Sequence, residues 1–319
     1  MAVGARPLVP SRLAPARLGR NGIAHGTRRT PTTVLGGYVA LTKPRIIELL
    51  LITTVPTMVL AERGWPSWSL VAITLLGGTL AAGGANAINM VIDRDIDADN
   101  PRTRERALPL GLLRPREVAL LAAAGAAAFL LAAALLNRVA LAFSIPVLAV
   151  LLGYSYSKRF TSGSHFILGL SLGIAPLGAW VAVKGDSFLE GAAFPLLMGA
   201  AVLFWTAGFD IVYACQDVAF DRGRGLRSVP ARLGVRRSLV LSSCLHVLTV
   251  ALLVAAGAVA SLSFLYYSGV ALVALLLVYG HAIVSEDDLS RLDVAFFTVN
   301  GWVSLSLMAC TLLDVFLFR

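Results

Sequence analysis

The residues best suited to chemistry follow a long apolar run, in the stretch NMVIDRDIDADNPRTRERALPLG at 89–111. Asn89, Asp93 and Asp97 recur at every fourth position. At roughly 100° per residue of an α-helix, this spacing keeps the three side chains within about 80° of one another. Carboxylate and amide oxygens are ligands that Mg²⁺ takes in proteins. The spacing therefore predicts a stripe of oxygen ligands for a divalent cation on one helical face.

A second acidic pattern appears later in the chain, in DIVYACQDVAFDRGRGLRSVPARLG at 210–234. The spacing of Asp210, Asp217 and Asp221 also places them on one helical face. In each pattern a loop with arginine and glycine follows, ending in LPLG at 108–111 and ARLG at 231–234. We expect two related halves whose acidic stripes face each other across a central active-site cavity.

The mixture of acids and arginines indicates which ligand such a cavity would bind. Acids alone would repel a phosphate, whereas divalent cations held by acids attract it, and arginines bind phosphate oxygens in pairs. The pattern therefore predicts two or more Mg²⁺ ions holding a diphosphate. The alternative is an ordinary charged loop at the membrane surface. Asp210, about two turns inside an apolar segment, does not fit that alternative.

The composition is that of an integral membrane protein. Hydrophobic residues make up 57% and charged residues only 14% of the 319 residues. Hydrocarbon offers no hydrogen-bond partners to the backbone, and the apolar runs lack the alternation of strands, so we expect an all-α membrane protein. The nine predicted transmembrane helices are at 45–61, 70–92, 118–136, 139–156, 165–183, 192–216, 238–258, 261–284 and 293–318.

The chain divides into a short basic tail and one helical membrane domain. Residues 1–37 hold six arginines and no acid, and we expect a disordered tail there. An organellar transit peptide and a start codon assigned too far upstream are the alternatives. The transmembrane domain covers residues 38–319. The formal net charge of +9 is explained by topology and contact with anionic lipid, so we predict no nucleic-acid partner.

Loop charge predicts the orientation in the membrane. Lysine and arginine concentrate in the N-terminal tail and in the loops that carry the two acidic motifs, and the opposite loops hold few of them. By the positive-inside rule, the N-terminus and these loops are cytoplasmic. We expect the plasma membrane of a bacterium, with an organellar inner membrane as the alternative. No pattern in the sequence indicates an oligomeric state.

Four motifs together resemble the UbiA superfamily of intramembrane aromatic prenyltransferases. They are NxxxDRxxD with RTxxRxLPxG at 89–111, DxxYAxxDxxxD at 210–221, LTKPR at 41–45 and YSYSKR at 154–159. The resemblance is greatest to 4-hydroxybenzoate polyprenyltransferases and their menaquinone-pathway relatives. Met90 departs from the aspartate that many hydroxybenzoate enzymes carry there. Haem O synthases share the first motif and resemble the chain less at YAxxDxxxD.

The resemblance implies a Mg²⁺-dependent transfer of a polyprenyl group from a prenyl diphosphate to an aromatic acceptor, 4-hydroxybenzoate or a naphthoate, in quinone biosynthesis. Asp210 would orient or deprotonate the acceptor, with a third-metal or a structural role as the alternatives. Lys158 and Arg94 would bind the diphosphate. The implied metal ligands are Asn89, Asp93, Asp97, Asp217 and Asp221. The implied substrate-binding residues are Lys43, Arg45, Arg102, Arg106, Tyr154, Arg159 and Tyr213.

Two other functions remain as alternatives. The first is transfer to another acceptor, as in haem O synthases. The second belongs to a different class, a cation-coupled membrane transporter, because paired acids inside membranes also bind and move cations. A transporter would place acids near the middle of several spans. Most acids here lie at one end of their helices beside arginines, which favours an enzyme.

Overall fold

A computed structural model describes residues 30–42 and 44–318, and its regular structure is entirely helical. Short 3₁₀ turns cover Gly185–Ser187 and Cys215–Asp217, and a π-helix covers Val294–Val299. Helices α1 to α13 span, in chain order, Pro31–Thr42, Pro44–Glu62, Trp68–Ile92, Arg94–Asp99, Pro115–Leu136, Arg138–Phe160, Ser164–Lys184, Ala193–Ala214, Val218–Gly223, Val229–Leu233, Val235–Val259, Phe264–Ala282 and Asn300–Phe318.

The predicted all-α membrane architecture is confirmed in its helical class. Within the described residues, eight helices are long and apolar enough to cross a membrane. The first of the nine predicted spans coincides with α2, where only the shorter apolar segment Ile52–Glu62 could be searched. Helix α1 begins at Pro31, ahead of the predicted domain boundary at residue 38. The six arginines of the predicted tail lie outside the described residues.

Close helix packing depends on glycine where α7 meets α8. A Cβ atom built on Gly173 would lie 2.5 Å from the carbonyl oxygen of Gly199, and a Cβ on Gly199 would lie 2.5 Å from the carbonyl oxygen of Gly173. In lipid, helices associate through such backbone contact and van der Waals packing, because lipid tails are as apolar as the side chains. The two glycines therefore set the distance between the helices that carry His165 and Asp210.

A buried carboxylate links two helices at the end of the bundle away from the acidic motifs. Asp314 of α13 is 1% exposed and accepts hydrogen bonds from the backbone N–H groups of Ser263 and Tyr266. These donors belong to the start of α12, where the first N–H groups have no partner within the helix. Asp314 thus caps α12 from a neighbouring helix and joins α12 to α13.

Both acidic motifs interrupt their helices at an aspartate. Helix α3 ends before Asp93, whose φ and ψ are −90° and 7°, and the six-residue helix α4 follows. The second motif breaks at Asp217, with φ and ψ of −98° and 5°, before the six-residue helix α9. The spacing did not indicate these breaks. The short helices α4 and α9 carry Asp97 and Asp221, the last acids of the two motifs.

Candidate active site

The first motif keeps its predicted phase despite the bend. The backbone N–H of Asp93 donates to Asn89 O and that of Asp97 donates to Asp93 O, as in a continuous helix. The Asn89 side-chain amide donates to Asp93 Oδ2 at 3.1 Å. The other oxygen, Asp93 Oδ1, is buried and has no hydrogen-bond partner among the described residues; Arg159 Nη2 lies 3.8 Å away. Burial, with a contribution from the Asp97 charge, raises the pKa of Asp93 to about 6.

The other acids of this motif are paired with arginines. Arg106 Nη1 lies 3.0 and 2.9 Å from the two carboxylate oxygens of Asp97, which is buried. Arg159 donates to Asp95 at 2.7 Å, and this hydrogen bond lowers the pKa of Asp95. Arg159 therefore lies close to both Asp95 and Asp93.

Asp217 of the second motif is held by the loop that follows the first motif. Arg102 donates to both of its carboxylate oxygens, Nε to Oδ1 at 3.2 Å and Nη2 to Oδ2 at 2.6 Å. The Asn100 side-chain amide adds a hydrogen bond to Oδ1 at 3.3 Å. The two motifs, far apart in sequence, therefore share one polar network.

Asp221, the last acid of the second motif, is fully buried. Lys158 Nζ, at the end of α6, lies 3.0 Å from Asp221 Oδ1, and the Ser228 hydroxyl donates to Oδ2 at 2.7 Å. The lysine contact has the distance of an ion pair but not the geometry of a hydrogen bond. Within the described residues, Oδ1 therefore accepts no hydrogen bond. The same serine caps α10 by accepting from the Ala231 N–H.

These carboxylates are suited to bind a divalent cation, because they supply oxygen ligands and because some of their oxygens accept no hydrogen bond within the described residues. A buried polar atom without a partner is costly, and each motif has one such oxygen, on Asp93 and on Asp221. Within the described residues, no three His, Cys, Asp or Glu side chains converge as a ready-made metal cage. Mg²⁺ commonly takes one or two carboxylates and completes its shell with water and substrate phosphates. The arrangement therefore suits metal that binds together with an anionic substrate.

Asp210 lies deeper in α8 and has a histidine partner. His165 Nδ1 is 2.6 Å from Asp210 Oδ2, and the backbone N–H of Val229 donates to His165 Nε2 at 3.2 Å. Tyr154 of α6 packs against the apolar cluster of Ala81, Ala85 and Leu151. Two members of that cluster belong to α3, the helix that ends at the first acidic motif.

The ring of Tyr213 is already occupied by neighbours. The Arg102 guanidinium lies 5.2 Å from its centroid, and the Phe296 ring packs at 4.3 Å. Phe296 and Phe297 both come from the π-helix, a conformation that is frequent at functional sites. Tyr213 therefore contacts both Arg102 and the π-helix.

The remaining predicted residues are placed less centrally. Arg94 is exposed, and within the described residues no contact of its side chain with a charged group is found. Lys43 lies outside the described residues, as does the side chain of Arg45.

Sequence reasoning missed the roles of Asn100, Ser228 and His165. Asn100 was recognisable only as a helix end, whereas Ser228 before Val-Pro carries the signal of a helix N-cap.

Comparison with known proteins identifies relatives of the chain. The profile of the UbiA prenyltransferase family matches residues 50–302. A protoheme IX farnesyltransferase of Salinispora tropica is 42% identical over 186 residues, 57% of each protein. One from Streptomyces avermitilis is 69% identical over 80 residues, 25% of this chain and 26% of the relative. In these alignments the chain spans at most 57% of the length of the two relatives.

Solved structures extend the similarity over most of the fold. An apo structure of a UbiA homolog from Aeropyrum pernix K1 has a TM-score of 0.76 and 34% identity, covering 84% of this chain and 97% of the homolog. A UbiA homolog from Archaeoglobus fulgidus bound to GPP and Mg²⁺ has a TM-score of 0.63 at 22% identity, covering 88% and 99%, and shows similarity of fold alone.

The relatives do not support the predicted hydroxybenzoate or naphthoate acceptor and quinone pathway. The curated relatives described above are named for protoheme IX, so the alternative of a haem-type acceptor fits better.

Proposed function

Because the chain belongs to the UbiA prenyltransferase family, we propose that it transfers a farnesyl group from farnesyl diphosphate to protohaem IX within a membrane. The farnesyl and haem parts of the proposal come from the names of the curated relatives. The observation that supports the transfer reaction is a contact between the two acidic motifs. Asn100 and Arg102, which follow the acids of the first motif, both donate to Asp217 of the second motif. One diphosphate at this junction would contact both motifs.

The side chains at the junction are balanced without a substrate. The four carboxylates of Asp93, Asp97, Asp217 and Asp221 lie against the four cations of Arg102, Arg106, Lys158 and Arg159, and Asp95 shares Arg159 with Asp93. A diphosphate adds negative charge that these groups do not neutralise. Two or more Mg²⁺ ions, held by Asn89 and these four aspartates, would supply that charge and stabilise the departing diphosphate.

The cations of the junction would then bind the diphosphate oxygens. Arg102, Arg106 and Lys158 each already lie within 3.0 Å of a metal-site carboxylate, so a small side-chain rotation would bring them to an anion between the motifs. Arg94, which is exposed at the start of α4, would contribute at the outer edge of the site. Lys43, Arg45 and Arg159 complete the set of proposed substrate-binding cations.

Transfer also releases a proton, for which Asp210 is the proposed acceptor. A prenyl cation that bonds to a neutral carbon leaves a cation on the acceptor. That cation must lose a proton, either from the acceptor itself or from a water that adds to it. Asp210 is a carboxylate at membrane depth, and its side chain is 27% exposed. The Tyr154 ring would stabilise the allylic cation.

The proposed location is a bacterial plasma membrane with the acidic motifs on the cytoplasmic side. The basic loops support this orientation. Farnesyl diphosphate is water-soluble at its charged end, so an opening toward the cytoplasm suits its entry, whereas its isoprenoid chain and protohaem suit the lipid.

A transfer assay with the full chain in nanodiscs tests the proposal. Radiolabelled farnesyl diphosphate and Mg²⁺ are incubated separately with protohaem IX, 4-hydroxybenzoate and 1,4-dihydroxy-2-naphthoate, with EDTA controls and an Asp217→Asn control. We expect an EDTA-sensitive prenylated product with protohaem alone. Product only with hydroxybenzoate or the naphthoate would refute the acceptor and keep the reaction class. No EDTA-sensitive product with any acceptor would refute the prenyl transfer itself.

A further inference from the structure

His165 is a buried histidine whose two ring nitrogens both have partners. It lies at the start of α7, its side chain is 4% exposed, and it contacts Asp210 of α8 through Nδ1. The backbone N–H of Val229, at the start of α10, points at Nε2. The histidine therefore joins three helices at the level of the proposed proton acceptor.

The geometry decides which nitrogen carries the proton. A backbone N–H can only donate, so Nε2 of His165 must be the unprotonated, accepting nitrogen. The single ring proton is then on Nδ1, and it points at Asp210 Oδ2, 2.6 Å away. His165 is thus neutral and donates to Asp210 Oδ2. The second nitrogen of a histidine fixes the tautomer in the same way at many metal and catalytic sites.

Asp210 has a second carboxylate oxygen, Oδ1, outside the contact with His165. Its side chain is 27% exposed against 4% for His165, and within the described residues no hydrogen bond reaches Oδ1. One oxygen is therefore held by the histidine, and the other is available to take a proton.

The segment that sets the tautomer also holds the proposed metal site. Val229 follows Ser228, whose hydroxyl donates to Asp221. The same segment is fastened to the end of α6, where the Arg227 N–H donates to Lys158 O. A displacement of this segment would disturb Asp221 and His165 together.

We infer that His165 is a positioning residue, which holds Asp210 ionised and aimed so that Oδ1 receives the proton released by prenyl transfer. In that step the acceptor, or a water that adds to it, loses a proton and keeps the bonding electrons, and Asp210 becomes a neutral carboxylic acid. The N–H of Val229 sets the histidine tautomer, and the neighbouring Ser228 donates to Asp221. The proton acceptor is therefore positioned only when Asp221 also keeps its hydrogen bond. This inference rests on the proposed function for its reaction and on the hydrogen bonds for its geometry.

Histidine ¹⁵N NMR of the full chain in nanodiscs tests the geometry without any substrate. The chain has four histidines, so His165→Asn identifies the His165 signals by their loss. We expect a neutral ring with a proton on Nδ1 and none on Nε2. A proton on Nε2, or on both nitrogens, would overturn the inference whatever the acceptor proves to be.

Paired substitutions test the consequence for transfer. The side-chain amide of His165→Asn can place its N–H near the position of Nδ1, whereas His165→Leu has no donor. We expect His165→Leu to lower kcat by about 10- to 100-fold, the usual range for a residue that orients a functional group. The KM for farnesyl diphosphate and the Mg²⁺-dependent rise in Tm should stay unchanged, and His165→Asn should recover most of kcat.

The ratio of diphosphate released to product formed separates positioning from a structural role. In His165→Leu we expect the ratio to rise above that of the wild type, because ionisation continues while deprotonation is impaired. His281→Asn serves as the matched control, since His281 is also hydrogen-bonded but contacts His246 and Ser243 instead. Equal loss in both His165 variants, or an unchanged ratio in His165→Leu, would overturn the inference. Failure of wild-type transfer with every acceptor would refute the proposed function, and the NMR result would still decide the geometry.

Discussion

Replacement of Asp217 by asparagine is the most informative perturbation, because this residue joins the two motifs. Asparagine keeps the size and one oxygen but removes the charge. In the proposed reaction Asp217 helps to hold a cation that stabilises the departing diphosphate. Loss of one preorganised electrostatic contact to a developing anion typically lowers kcat by about 10²- to 10³-fold. We expect a loss of kcat in this range and a weaker Mg²⁺-dependent rise in Tm.

The cost in stability is expected to be smaller than for a fully buried ion pair. The Asp217 side chain is 9% exposed, and its partner Arg102 is 33% exposed. Arg102 can therefore regain water when the charge of Asp217 is removed. We expect the free energy of unfolding to fall by about 1–2 kcal/mol, below the roughly 3–5 kcal/mol for breaking a buried pair.

A comparison with Arg102→Met separates the two roles of Asp217. If the aspartate only anchors Arg102, the two single variants and the double variant should lose similar activity, because one contact is removed in each case. That outcome would refute the metal role. We expect Asp217→Asn to lose more kcat than Arg102→Met, and only the arginine variant to keep its Mg²⁺ response. Asp186→Asn is the matched control, since Asp186 forms a similar two-point pair with Arg138 away from the site and should leave activity unchanged.

Three further predictions follow from local geometry. Gly173→Ala should destabilise the protein by about 1–3 kcal/mol, because its Cβ would lie 2.5 Å from Gly199 O. Gly178→Ala is the control and should not destabilise the protein, because a Cβ there would have no atom of the described residues within 4 Å. Thermal unfolding in detergent measures both effects. Stabilisation by Mg²⁺ should weaken as pH falls below about 6, because the ion must displace the proton of Asp93, whose pKa is raised by burial. Measuring Tm with and without Mg²⁺ over a series of pH values tests this. A difference in Tm that does not depend on pH would contradict it. Arg106→Ala should lower kcat less than Asp217→Asn in the transfer assay, because Arg106 is one of several cations at the junction and the others remain. An equal or larger loss of kcat would contradict this and would make Arg106 the main cation of the site.

Several properties of the site could be predicted because they are local. The phase of Asn89, Asp93 and Asp97 depends only on their spacing, and the structure keeps their i to i+4 backbone hydrogen bonds even across the bend. The membrane class depends on composition and on the lack of hydrogen-bond partners in lipid. The acceptor was not predictable in this way, because in the proposed reaction the two acidic motifs would bind the common diphosphate and would not contact the part of the substrate that differs.

Contacts across the bundle required the tertiary structure. Nothing in the spacing indicates that Arg102 reaches Asp217 while Arg106, four residues later, reaches Asp97. Both arginines lie in a loop, and the partner of a loop side chain depends on which helix ends surround that loop after packing. The same reason applies to Lys158, which meets Asp221 only because α6 and α9 end at the same side.

The sequence by itself determined a helical membrane protein with two acidic stripes, because hydropathy and helical period act within one segment. Only the tertiary structure decided that both helices bend at an aspartate, that each motif is neutralised in part by distant cations, and that His165 faces Asp210. These features depend on the approach of separate helices, which close contacts such as Gly173 against Gly199 permit. Residue spacing along one helix contains no information about that approach.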